Sequence, residues 1–211
     1  MDNNKYKLTD DTITLDNGLE LRRIVALKDF SDIKKGDLGG YIEKEGNLSK
    51  AGDCWVYDNA KVYENARIYG SAKVENNAQV YGKASVGQNA SISENAKVFD
   101  EAGIFGNAKI YGNVKIGGDI DVFGSAKVGG DVRLICNMSI CGDVTIDSKF
   151  LLYENVKMHV LIAEETLLFP TYFCYCFPRV KARCCCRGTK GHMNISDQKY
   201  FKGMKPGHSL P

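Results

Sequence analysis

The sequence predicts an all-β protein: short strands wound into a parallel β-helix, a solenoid of about five to six coils, with an N-terminal β-hairpin cap and an irregular C-terminal segment. Three observations predict it. A small or branched residue recurs at every sixth position from Ala60, Ala66 and Ala72 to Ala108, continuing as Val114, Ile120, Ala126, Val132, Met138, Val144, Phe150 and Val156. Two residues after each comes a second apolar column, from Val62, Ile68 and Val74 to Leu152 and Met158. The pair before each small residue is turn-forming, as in Glu64-Asn65, Gly70-Ser71, Gly106-Asn107, Gly112-Asn113, Gly118-Asp119 and Gly130-Asp131. No residue is inserted or lost in this run. Such self-similarity fixes an architecture ahead of any local signal.

A period of six matches neither the 3.6 residues of a helical turn nor sustained two-residue alternation. It matches a short strand followed by a turn. In Asn59-Ala60-Lys61-Val62-Tyr63-Glu64, alternation sends Ala60 and Val62 inward and Lys61 and Tyr63 outward. Gly, Asn and Asp then supply the left-handed backbone the turn needs. Three hexads close one triangular coil of eighteen residues, and coils stack at about 4.8 Å.

Outside the repeat, residues 1–50 are expected to cap the first coil, because an open solenoid end exposes core and unpaired edges. Tyr6 to Leu8, Thr12 to Leu15 and Leu19 to Leu27 have strand character, and Asp16-Asn17-Gly18 is a hairpin turn. Residues 28–43 form a Gly-rich connection that lacks the Lys-Ser/Thr of a phosphate loop. The repeat proper covers 51–158. After about His159 the period fails, and 159–211 is assigned as a C-terminal cap and tail.

The pattern Val/Ile, any, Gly, Asn/Asp, Ala/Val, any resembles the hexapeptide repeat of left-handed parallel β-helix proteins, of the kind found in trimeric acyltransferases. That resemblance covers about half the chain. It implies left-handed winding and a homotrimer with parallel axes, with a homodimer through an aromatic face as the alternative. The segment from Ala26 to Asn59, through Asp37-Leu38-Gly39-Gly40-Tyr41-Ile42-Glu43, resembles the leader of β-helix proteins encoded by phages and prophages.

Composition bounds the function. The 28 basic and 26 acidic residues leave a net charge of only +2, too weak a balance to imply nucleic acid. No stretch reads as a signal peptide or membrane span, so the expected location is cytoplasmic, with reduced cysteines. The three histidines, His159, His192 and His208, stand at or beyond the end of the repeat, and no loop interrupts it. An acyltransferase of this fold carries a catalytic His and an inserted loop, and the γ-class carbonic anhydrases a His triad. The expectation is therefore a non-catalytic scaffold with no cofactor and no metal. It would bind a host protein, as a phage-encoded inhibitor of a defence system such as CRISPR. The alternatives are a hexapeptide-repeat acyltransferase using acyl-coenzyme A, and a self-assembling structural protein.

Cysteine and surface residues complete the reading. Cys54 extends the inward column, while Cys136 and Cys141 fall at outward or turn positions. Cys174, Cys176, Cys184, Cys185 and Cys186 offer soft ligands but lack the paired spacing of a zinc ribbon. Outward positions eighteen apart stack on one face. One face carries Tyr63, Tyr81, Phe99 and Tyr153 beside Lys61, Lys97, Lys115 and Arg133, and this is the candidate binding face. A second carries the aromatics Tyr69, Phe105 and Phe123. Aromatics and Arg are enriched at interfaces. Acidic residues such as Glu64, Asp100, Asp119 and Asp131 punctuate the turns and break up any continuous nucleic-acid track.

Overall fold

Each hexad supplies one short strand and one turn in the computed structural model, and three hexads close a coil. The structure describes residues 4–147; beyond them it gives only strand backbone at Phe150–Tyr153, Met158–Val160, Ile162–Ala163, Thr166–Leu167, Lys181–Arg183 and Met193–Asn194. The residues assigned as a C-terminal cap, with the side chains of Tyr153, His159, His192, His208 and the cysteines from Cys174 to Cys186, lie outside the described residues.

Strands one coil apart pair in parallel. On the first face Lys61, Gln79, Lys97, Lys115 and Arg133 stand in register. The second face stacks Arg67, Ser85, Gly103 and Asp121. The third stacks Lys73, Ser91, Lys109, Lys127 and Thr145. The result is a parallel β-solenoid of about six turns. Inward columns are closed to solvent, from Ala60, Val62, Ala66 and Ile68 through Val128. Each such Val or Ile contributes roughly 1.5–3 kcal/mol of burial before its ordering entropy is subtracted.

The turns explain how the period survives without glycine at every corner. Asp58, Glu64, Asn76, Gln88, Glu94 and Asp100 hold φ between 51° and 60°, a conformation that costs a non-glycine residue roughly 1–2 kcal/mol. Five of the six recover part of that cost by accepting a hydrogen bond from an amide one coil on. Asn76 N donates to Asp58 (3.0 Å), Gly82 N to Glu64 (2.8 Å), and Glu94 N to Asn76 (3.1 Å). Gly106 N donates to Gln88 (2.6 Å) and Gly118 N to Asp100 (2.9 Å). Further along, Lys115–Val122 and Val132–Ile140 run as single strands around the corner between the first two faces.

The N-terminus closes the solenoid by two means. Strands β1 (Tyr6–Thr14) and β2 (Glu20–Ala26) form the expected hairpin, where Gly18 N donates to Leu15 O at 2.8 Å. Strand β3 (Leu38–Ile42), inside the segment expected as a plain connection, pairs antiparallel with β2 and parallel with Lys61–Val62. The first face therefore continues upward into the hairpin.

Among the described residues the other two faces start with no strand above them, and side chains donate in its place. Lys5 Nζ donates to Cys54 O (2.8 Å) and Gly52 O (3.3 Å), just before β4 (Trp55–Val56). The Tyr6 hydroxyl donates to Leu48 O (2.8 Å) and Glu45 O (2.9 Å). Lys5 is buried, lies 3.3 Å from Cys54 Sγ and sits over the Phe30 ring, and that burial draws its pKa down. Cys54 is a core residue, as expected; Cys141, expected to face outward, is buried instead.

Candidate functional site

The candidate binding face is built by the register of the first sheet. Lys97, Lys115 and Arg133 follow one another in a column with no acidic residue between them, and Lys61 stands above, separated by Gln79. Adjacent positions are about 4.8 Å apart, and two unit charges at that distance repel by about 1 kcal/mol even in water. Like charges directly opposite on a sheet are destabilising. Arg23 and Tyr41 extend it at the top: the guanidinium lies 4.4 Å from the Tyr41 ring centroid and pairs with Asp11 at 2.7 Å.

Beside the cations runs the aromatic column. Tyr63 and Tyr81 stack with centroids 5.0 Å apart, Tyr81 and Phe99 at 5.3 Å. Below, Phe99 lies on Gly117, where a Cβ would overlap its ring. Above, Tyr63 packs against Leu21 and Tyr41, roofed by Ile13, Leu15 and Leu19 of the hairpin. Burial pushes the Tyr63 phenol up to about 12 and raises that of Tyr81 as well. The ring faces are thus occupied by one another, and what the ladder offers a ligand is ring edges. Those edges carry the positive end of the ring quadrupole. Cations and ring edges thus stand side by side along this face. The turn carboxylates of Glu64 and Asp100 flank it but are bonded to backbone amides.

Of the residues expected on this face, the structure brings together Lys61, Tyr63, Tyr81, Lys97, Phe99, Lys115 and Arg133, while the Tyr153 side chain lies outside the described residues. On the second face Tyr69 and Phe105 are 6.4 Å apart and tilted, and Phe123 is exposed. On the third, Tyr57 and Lys73 converge on Asp32 (3.0 and 3.1 Å), which holds that carboxyl down at about 2 and pins the loop before β3.

Sequence reasoning missed Arg23 and Tyr41 because counting back by eighteen fails above Lys61. Tyr41 pairs with Lys61 and Leu48 with Ile68, twenty residues apart, and the excess is absorbed before Trp55 pairs with Lys73. Among the described residues no helix is long and apolar enough to cross a membrane.

No family model matches the chain. Over 38 residues, 18% of this chain, it is 47% identical to a protein of Escherichia coli (strain K12) described as an uncharacterized acetyltransferase, YdcK. The match spans 12% of that relative's length. It corrects the expectation of a non-catalytic protein, and with it the preference for a host-protein inhibitor. That expectation leaned on the lack of histidine in the repeat. Histidine is one general base among several, and carboxylates, tyrosines and lysines serve as well. His159, His192 and His208 have side chains outside the described residues.

Proposed function

We propose that this protein is an acyltransferase of the hexapeptide-repeat type, moving an acyl group from an acyl-coenzyme A thioester to an amine or hydroxyl acceptor. The observation that carries the reading is the 47% identity to an acetyltransferase-described protein, met in a chain whose repeat is a parallel solenoid. The acceptor attacks the thioester carbonyl, the C–S bond breaks as the C–N or C–O bond forms, and the acceptor's proton leaves with the thiol. Coenzyme A carries its charge on phosphates, and the column of Lys97, Lys115 and Arg133 stacks three cationic residues one coil apart on the first face. Ion pairs of this kind position the donor, and positioning is a large share of the advantage in a two-substrate transfer.

The test is thiol release from acetyl-coenzyme A in the presence of a panel of amine and hydroxyl acceptors. Saturable release that needs both the protein and an acceptor is the expected result. A rate equal to the protein-free blank for every acceptor, at millimolar donor, would sink the reading.

A further inference from the structure

The second face differs from the other two: among its described strand residues there is no lysine. Its first outward column runs Arg67, Ser85, Gly103, Asp121, Ser139. Its second runs Tyr69, Gly87, Phe105, Phe123, one coil apart. Two rings of this column lie against glycines of the sheet. Tyr69 lies across Gly87, while Phe105 and the Asp121 carboxylate both fold toward Gly103, and a Cβ at either glycine would overlap these side chains. Tyr69 is 40% and Phe123 37% exposed. Exposed aromatics of this kind are a feature of interfaces.

The charges on this face are self-complementary about the level between Ser85 and Gly103. Arg67 stands one coil above Ser85 and Asp121 one coil below Gly103, so the pair brackets the level between Ser85 and Gly103. Both are exposed, and neither forms an ion pair among the described residues. Partial burial and the neighbouring Asp119 raise the pKa of Asp121, a strain that a facing cation relieves.

We propose that this face is the interface of a homodimer in which a second copy packs with its solenoid axis antiparallel, about a two-fold axis running along the strands between the levels of Ser85 and Gly103. That operation reverses each column against itself. Arg67 of each copy meets Asp121 of the other, Tyr69 meets Phe123, and Phe105 meets the Tyr69 ring where it covers Gly87. An isologous contact makes each of these pairings twice. With parallel axes, by contrast, Arg67 would stand level with Arg67 and Asp121 with Asp121. The charge pattern therefore selects the antiparallel arrangement. The inference does not rest on the transfer reading and survives its failure.

The full-length protein and two surface variants, R67E and D121K, test it by light scattering at micromolar concentration, with circular dichroism confirming that each variant is folded. The wild type is expected to be a dimer. Each variant alone faces like charges and is expected to be monomeric, its dimer dissociation constant raised at least about tenfold. An equimolar mixture of the two pairs opposite charges at both contacts and is expected to restore the dimer. A monomeric wild type overturns the proposal, whether the face is bare or covered by residues beyond 147. So does a dimer or trimer indifferent to both substitutions, and so does a mixture that stays monomeric.

Discussion

Replacing Tyr6 by phenylalanine removes one oxygen and leaves every apolar contact of the ring, so it isolates how the solenoid's open end is closed. The ring is 2% exposed, and its hydroxyl donates to Leu48 O at 2.8 Å and Glu45 O at 2.9 Å. On this face there is no strand above to supply those donors. A buried carbonyl left unsatisfied costs about 1–3 kcal/mol, and one hydroxyl proton serves one carbonyl fully at a time, so about 2 kcal/mol is expected. For a chain of this size that is a fall in Tm of roughly 4–8 °C. Paired thermal and urea melts of wild type and Tyr6→Phe measure it, with the urea slope expected to stay unchanged. A Tm within 1 °C or so of wild type would mean that water serves these carbonyls, and the side-chain account of the cap would fail.

Two other perturbations follow from the same geometry. Gly117→Ala places a methyl where the Phe99 ring lies, so the ring must tip out of its stack on Tyr81. The expected cost is about 1–3 kcal/mol with a changed near-ultraviolet tyrosine dichroism, and an unperturbed spectrum would show that the ladder does not rest on that glycine. The second concerns acid. Asp32, bonded by Lys73 and Tyr57, has its pKa lowered from 3.8 to about 2 in the fold. The unfolded chain therefore binds the proton first, and this stabilisation is present above about pH 4 and lost as pH falls toward 2. Asp32→Asn is expected to flatten that part of the pH–stability curve, and parallel curves for the two proteins would contradict the assignment.

The solenoid was legible because its signal is redundant. Ala60, Ala66, Ala72 and the following members of the column each repeat the same statement, so no single residue had to be read correctly. The faces were legible for the same reason, since an indel-free period converts spacing into register, as at Lys97, Lys115 and Arg133. What escaped lay where the period breaks. Lys5 and Cys54 are 49 positions apart, and nothing local predicts that a lysine would be buried to satisfy a sheet edge. The ring orientations escaped too, because Tyr69 over Gly87 and Phe99 over Gly117 are relations across coils. The glycines were nevertheless visible eighteen positions after each aromatic. Read that way, the sequence already states which rings lie flat.

The direction of catalysis was the harder matter. Lack of histidine in the repeat pointed away from an enzyme, whereas a 38-residue match to an acetyltransferase-described protein points toward one. The match covers 18% of this chain and 12% of the relative, and the histidine count concerns only one kind of base.

Calorimetric titration of coenzyme A into the wild type and into a Lys97→Ala/Lys115→Ala variant tests this account most directly. Saturable binding by the wild type is predicted, weakened by added salt and reduced about tenfold or more in the variant, as expected when charge-assisted contacts to phosphate are lost. The absence of any binding heat at millimolar coenzyme A, or binding that the two substitutions leave unchanged, would contradict it.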